Sequence, residues 1–132
     1  MISSLPALRT QLLASAALTA FVVDRIYTFE APEAGTLPDV VIYPVTAMGT
    51  DSLGGVIEPW SERLSVEARS TKVSEADRIG QAIHDAIGNG QFASNGVIVD
   101  GCLLASQVWM EDREFRLFRR ILDFRVSYRS AS

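Results

Sequence analysis

The residues able to do chemistry are few and badly placed for it. His84 is the single histidine of the 132-residue chain and Cys102 its single cysteine. A histidine base needs a carboxylate or a nucleophile within hydrogen-bond reach. Asp85 follows His84 directly, but adjacent residues on a helix do not face each other. His84 is therefore expected to pack, not to move protons. Cys102 lies in an apolar run, the usual setting of a buried structural thiol, and one cysteine excludes an internal disulfide. Glu111, Asp112 and Glu114 bring three carboxylates together beside Arg113 and Arg116. They lack the spacing of a calcium loop and read as a solvated turn. The glycine-rich stretch at residues 49–55 has no Gly-Lys-Ser/Thr ending, and no helical pattern follows it, so it is not a phosphate cradle. The sequence predicts no catalytic residue, no metal site and no cofactor site.

Charge is more informative. Twelve basic and sixteen acidic side chains give a net charge of -4, which excludes a generic basic nucleic-acid binder. The balance is polarised along the chain. Residues 1–112 carry six basic and fourteen acidic side chains, a net of -8. The last twenty residues carry six arginines and two acids, a net of +4. Such a strand can be an ordinary exposed face. It can also be one half of a contact between copies, the basic strand of one meeting an acidic loop of the next.

The elements that must position these charges follow from apolar periodicity. Apolar residues make up 48 % of the chain, a folding composition, and the length sets one domain over residues 1–132. A first helix is expected over residues 5–15, from Ser4 and Pro6 at its start and Leu5, Leu8, Leu12 and Leu13 on one stripe. A short helical turn follows at residues 18–22. The uncharged run at residues 10–23 is too short and too polar to span a bilayer. No signal peptide and no membrane partner are expected, and the lone cysteine points to synthesis in the cytoplasm.

A short β-prone segment lies at residues 25–29, and a strand at residues 40–47 carries Pro44 as a mark of an edge or bulge. Residues 48–59 hold three glycines and Pro59 and read as a long connecting loop. Residues 60–69 alternate, with Leu64, Val66 and Ala68 buried and Arg63, Ser65, Glu67 and Arg69 wet. A second long helix starts at Ser74, with Asp77 completing a near capping box, and stops at Gly88 in a left-handed conformation. Asn89-Gly90 and Asn95-Gly96 mark an irregular connection. An extended segment over residues 97–110, bent at Asp100-Gly101, forms a hairpin with a last strand over residues 115–129. The predicted class is α+β, in the order α-β-β-β-α-β-β. It is a mostly antiparallel sheet of about four to five strands with two main helices on one face.

Several segments, taken in order, resemble the tail completion (tail terminator) proteins of long-tailed bacteriophages. A first helix leads to Asp24-Arg25-Ile26-Tyr27, then to Ala31-Pro32, then to Leu37-Pro38 and Tyr43. The strand RLSVEARS is followed by the helix SEADRIGQAIHDAI, and the chain closes with FRRILDFRVSYR. The resemblance covers essentially the whole chain. It implies a structural virion protein without catalytic residues. Such proteins form a ring, usually hexameric, that caps the tail tube, ends its polymerisation and joins tail to head. The implied partners are further copies of the chain, the tail tube protein and the head–tail connector. The implied location is the head-proximal end of the tail, with assembly in the host cytoplasm.

Size and charge agree with a conduit. A compact domain of this length is roughly 36 Å across, and six in a ring leave a hole of roughly the same width. Lysine and arginine grip phosphates, so an acidic protein with one lysine suits DNA passage without sequence-specific binding. The lumen is expected to be neutral to acidic, with Arg119, Arg125 and Arg129 facing away from it. Leu53, Val56 and Ile57 have no evident intramolecular use and are expected to pack against a neighbouring copy or a tube subunit. Two other readings compete. One is a head-side connector or adaptor ring. The other is a cytoplasmic α+β domain binding a small ligand between the second long helix and the sheet.

Overall fold

The computed structural model describes residues 3–32, 35–52, 55–88 and 90–131, with side chains described outside 47–58. Three helices and six strands run in the order α1 (Leu5–Leu13), α2 (Ala16–Val22), β1 (Ile26–Thr28), β2 (Asp39–Ser52), β3 (Gly55–Ser70), α3 (Val73–Ile87), β4 (Phe92–Ser94), β5 (Val97–Asp112), β6 (Leu117–Ser130). The strands make one sheet in the order β1-β2-β3-β6-β5-β4. Every neighbouring pair is antiparallel except β1 with β2. The α+β class and the packing of helices on one face hold. The expected four to five strands and two helices fall short: α2 is a helix in its own right, and β4 occupies the connection read as irregular.

One face of the sheet carries the core. Val40 and Ile42 of β2, Leu64, Val66 and Ala68 of β3, Val97, Val99 and Cys102 of β5, and Leu122, Phe124, Val126 and Tyr128 of β6 are all buried. Leu5, Leu8 and Leu12 of α1, Leu18 and Val22 of α2 and Ile79, Ile83 and Ile87 of α3 close over them. The last three recur at helical spacing and form the apolar stripe that lays α3 across β3 and β6. At 86°, the break between α1 and α2 lets both helices follow the sheet. Ser15 makes the break, because its hydroxyl accepts the Leu18 amide at 3.2 Å and caps α2. Among the described residues, no single helix is long and apolar enough to cross a membrane.

Several local details differ from the sequence expectation. Helix α3 starts one residue before Ser74, and Ser70 holds its entry instead, accepting the Lys72 amide and donating to Glu75. Gly88 is extended, at φ -68 and ψ 133, not left-handed. Its need for glycine is steric: a Cβ there would stand 2.6 Å from the His84 ring. The largest difference is the stretch read as a loop. Residues 48–52 and 55–59 continue β2 and β3 as an antiparallel arm, with Thr50 opposite Ile57, Asp51 opposite Val56 and Ser52 opposite Gly55. Ladder hydrogen bonds between the two strands absorb glycines that would otherwise favour irregular backbone.

Neither long outer strand is covered along its whole length. β1 pairs with β2 only at Val40, Val41 and Ile42, and β4 pairs with β5 only at Val97, Ile98 and Val99. Among the described residues, the remainder of β2 and of β5 presents free backbone edges, a recurrent template for pairing with another chain.

Candidate functional site

Alternation sends every second residue of β3 and β6 to the face that no helix covers. From β3 these are Arg63, Ser65, Glu67 and Arg69; from β6 they are Arg119, Ile121, Asp123, Arg125, Ser127 and Arg129. The register sets Arg69 opposite Arg119 and Arg63 opposite Arg125. Like charges directly opposite each other destabilise a sheet unless they are compensated.

At one end of the face both arginines are paired. Arg69 donates to both oxygens of Asp39, at 2.7 and 2.8 Å, and Arg119 donates to Glu67 at 3.1 Å. Asp39 and Glu67 are themselves buried beneath the guanidinium groups and the aliphatic stems of these arginines. The hydrogen bond to Asp39 is the main reason why the Arg69 pKa rises above its ordinary value. The expected wet face is thus only partly wet, since Ser65 and Glu67 are closed off by neighbouring long side chains.

At the other end the compensation is partial. Arg63 reaches Asp123 at 3.6 Å, and that same carboxylate oxygen accepts the Ser106 hydroxyl at 3.1 Å. Arg63 Nε is buried and makes no hydrogen bond, and Arg119 Nε is in the same state. Arg125 is exposed and has no ion-pair partner among the described residues. Arg129 pairs with Asp100 at 3.3 Å, with half of its side chain in water.

Beside these arginines runs an apolar stripe. Leu103 of β5 stands opposite Arg125, Val108 opposite Ile121 and Met110 opposite Arg119. Leu103 is 58 % exposed, and Val108 and Met110 are each 46 % exposed. The sequence hid this stripe. Two register shifts in β5, one between Val99 and Gly101 and one between Leu104 and Ser106, each insert a residue and reverse the alternation. Strict period-2 counting places Leu103 and Val108 on opposite faces, whereas the bulges bring them to the same one. The expected bend at Asp100-Gly101 is the first of these bulges.

The groups singled out for chemistry serve structure. His84 stacks on Phe124 at 6.5 Å. Burial pushes the Cys102 thiol up to about 12, so it stays protonated and unreactive. Glu111 pairs with Arg113 at 4.0 Å, and Asp112 accepts the Phe115 amide within the turn between β5 and β6. Among the described residues no three of His, Cys, Asp and Glu gather as a metal site. The glycine-rich stretch leads into a strand, not a helix. Ile79, Ile83 and Ile87 fill the space between α3 and the sheet. On that side Arg120 lies flat on α3 at Gly80, bonded to Gln107 and to the Asp77 carbonyl, with Trp109 over it and donating to Asp77 at 2.8 Å. This clamp fixes the β5–β6 hairpin to the helix.

The sequence profile of the family described as Tail completion protein gp17 matches residues 6–129. The chain belongs to this family. It is a structural protein of the phage tail and not an enzyme. Among solved structures it is similar to a chain from the virion of a native gene transfer agent (GTA) particle. The TM-score is 0.74 and the identity 18 %, over 92 % of this chain and 90 % of that one, which establishes a shared fold. No curated protein matches the sequence.

Of the six residues expected at an interface, Arg119, Arg125 and Arg129 share the open face, as their alternation implied, in three different electrostatic states. Val56 and Ile57 lie in the backbone of the β2–β3 arm, with side chains outside the described residues, and Leu53 lies outside the described residues altogether. Sequence reasoning missed Leu103, Val108 and Met110, because the second bulge, between Leu104 and Ser106, left no compositional signal, unlike the first at Asp100-Gly101.

Proposed function

We propose that the protein assembles head-to-tail into a hexameric ring that caps the head-proximal end of the tail tube. The ring ends tube polymerisation, joins tail to head and lets DNA pass through its lumen. Family membership supports the tail setting, and the solved neighbour, a chain of a virion particle, supports a place in the virion. The observation that carries the ring is the pair of free edges on opposite sides of one sheet. A closed ring needs two different surfaces, one to give and one to receive. β2 and β5 run in opposite senses, because three successive antiparallel pairings separate them. Rotation about an axis along the strands therefore brings β5 of one copy beside β2 of the next in antiparallel sense.

In this ring the arm residues Leu53, Val56 and Ile57 pack against a neighbouring copy or a tube subunit, and the acidic balance of the chain leaves the lumen neutral to acidic. Arg119, Arg125 and Arg129 face away from the DNA, toward protein. Sedimentation of the full chain, alone and with tail tubes, tests the ring. The expected species is six times 14.4 kDa, about 86 kDa, free or bound to tube ends. A chain that stays monomeric and ignores tubes overturns the proposal.

A further inference from the structure

Two apolar rims lie on opposite sides of the sheet. On one side β1 steps out beyond β2 alongside Val40, Val41 and Ile42. Val23 and Phe29, which flank β1, are 58 % and 67 % exposed. Both hold a positive φ, 59° and 71°, where bulky side chains are strained. Strain of this kind persists chiefly at functional surfaces. Between β1 and α1 opens a groove of about 590 Å³, lined by Leu5, Pro6 and Arg9 of α1 and by Ile26, Thr28 and Phe29. On the other side β4 covers β5 only at Val97, Ile98 and Val99, and farther along Val108, Trp109 and Met110 are each about half exposed.

The register sets the two rims level. Ile26 pairs with Val40, Val40 with Ala68, Ala68 with Arg120 and Arg120 with Trp109. Tyr27 is level with Val108 in the same way, through Val41, Glu67 and Ile121. Paired residues share a face, so Trp109 and the groove both lie on the side that the helices cover. Rotation about an axis along the strands leaves heights unchanged. It brings Val108, Trp109 and Met110 of one copy to the β1 rim of the next, since β1 is the outermost strand at that level.

Side chains must make this contact. On the outward side of β1 the Ile26 carbonyl accepts Arg9 Nε at 2.8 Å and the Thr28 carbonyl accepts the Glu30 amide at 2.9 Å, so neither is open to a further strand. The bond to Ile26 also holds the Arg9 guanidinium level with Trp109, and an indole face is a favoured partner for that cation. Trp109 is held in advance by its bond to Asp77 and its stack with Arg120, so little freedom is lost on contact. Phe29 and Trp109 alone leave roughly 250 Å² bare, a sizeable part of the ~800 Å² per partner that a stable contact buries. Each rim continues a free edge, β1 that of β2 and residues 107–110 that of β5.

We propose that Val108, Trp109 and Met110 of one copy pack on the β1 rim of the next, with Trp109 entering the α1–β1 groove against Arg9 and Phe29. This rests on the ring reading above and names the side chains that join successive copies. Each copy gives its β5 rim to one neighbour and its β1 rim to the other, as a head-to-tail ring requires.

Two experiments on the full chain test it. In the double variant Tyr27→Cys with Val108→Cys, the two thiols of one copy stand four strand spacings apart, roughly 19 Å, too far for a short bis-maleimide linker. Cys102 is buried and protonated, so only the new thiols react. The double variant, alone or on tail tubes, is expected to give a covalent ladder up to the closed ring, and neither single variant is expected to link. Phe29→Asn suits the backbone at φ 71° and is expected to keep the melting temperature while weakening self-association roughly tenfold or more. If the wild type assembles but the double variant does not link between copies, or Phe29→Asn assembles as the wild type does, the contact is wrong and the ring stands. Dimers linked in a single variant would mean that like rims meet, which overturns the contact. If Phe29→Asn self-associates normally but no longer binds tubes, the groove takes a tube subunit and the contact is overturned. If the wild type never assembles, with or without tubes, the ring reading and the contact fall together.

Discussion

Arg69 grips Asp39 with two parallel hydrogen bonds, 2.7 and 2.8 Å long, across the first register pair of β2 and β3. The carboxylate is fully buried and the guanidinium is mostly so. Paired, fork-on-carboxylate geometry satisfies both partners. It also fixes the register where β2 begins, just before β1 adds on.

The cost of breaking this pair lies in the charge left behind. Arg69→Ala is expected to destabilise the fold by about 3–5 kcal/mol, because Asp39 stays buried without a counter-charge. Replacing both residues with apolar ones of similar size is expected to recover most of that loss. Urea unfolding of the two variants measures it, and equal losses in both would contradict the account.

A second expectation concerns alkaline pH. Burial lifts the Cys102 thiol from 9.0 to about 12, and burial together with the Glu62 carboxylate lifts the Tyr128 phenol from 10.0 to about 12. Both groups hold their protons more tightly in the folded chain. Above pH 9 the unfolded chain therefore binds fewer protons, and stability falls as pH rises. Their contribution is complete below pH 9 and is gone by about pH 12. Denaturant midpoints taken from pH 8 to pH 11 should decline, and Cys102→Ala should make the decline shallower. A flat profile in the parent chain would contradict the assignment.

The core was legible because its pattern is simple. Leu64, Val66 and Ala68 alternate, Ile79, Ile83 and Ile87 repeat at helical spacing, and both patterns face the same interior. The basic face was legible for the same reason, as Arg119, Arg125 and Arg129 share one parity. Three features were not. The arm is glycine-rich, and only pairing between its two strands makes it extended, a long-range choice that local composition does not record. The stripe of Leu103, Val108 and Met110 depends on two bulges that reverse the alternation. The compensation of Arg69 but not Arg125 depends on Asp39, thirty residues away in sequence and adjacent only through the register.

The arm gives a third expectation. Deleting residues 52–57 shortens the β2–β3 arm, which lies beyond the last β3–β6 pair. Thermal melting is expected to change little, while sedimentation with tail tubes should show loss of ring or tube binding. Normal assembly by the deleted chain would remove the arm from the contact.

The central claim is that the protein acts by shape and self-association at the end of the tail. Electron microscopy of particles assembled without it tests that claim most directly. The account predicts tail tubes of uncontrolled length, unattached to heads, with both defects repaired when the full chain is supplied. Tails of normal length joined to heads in its absence would contradict it.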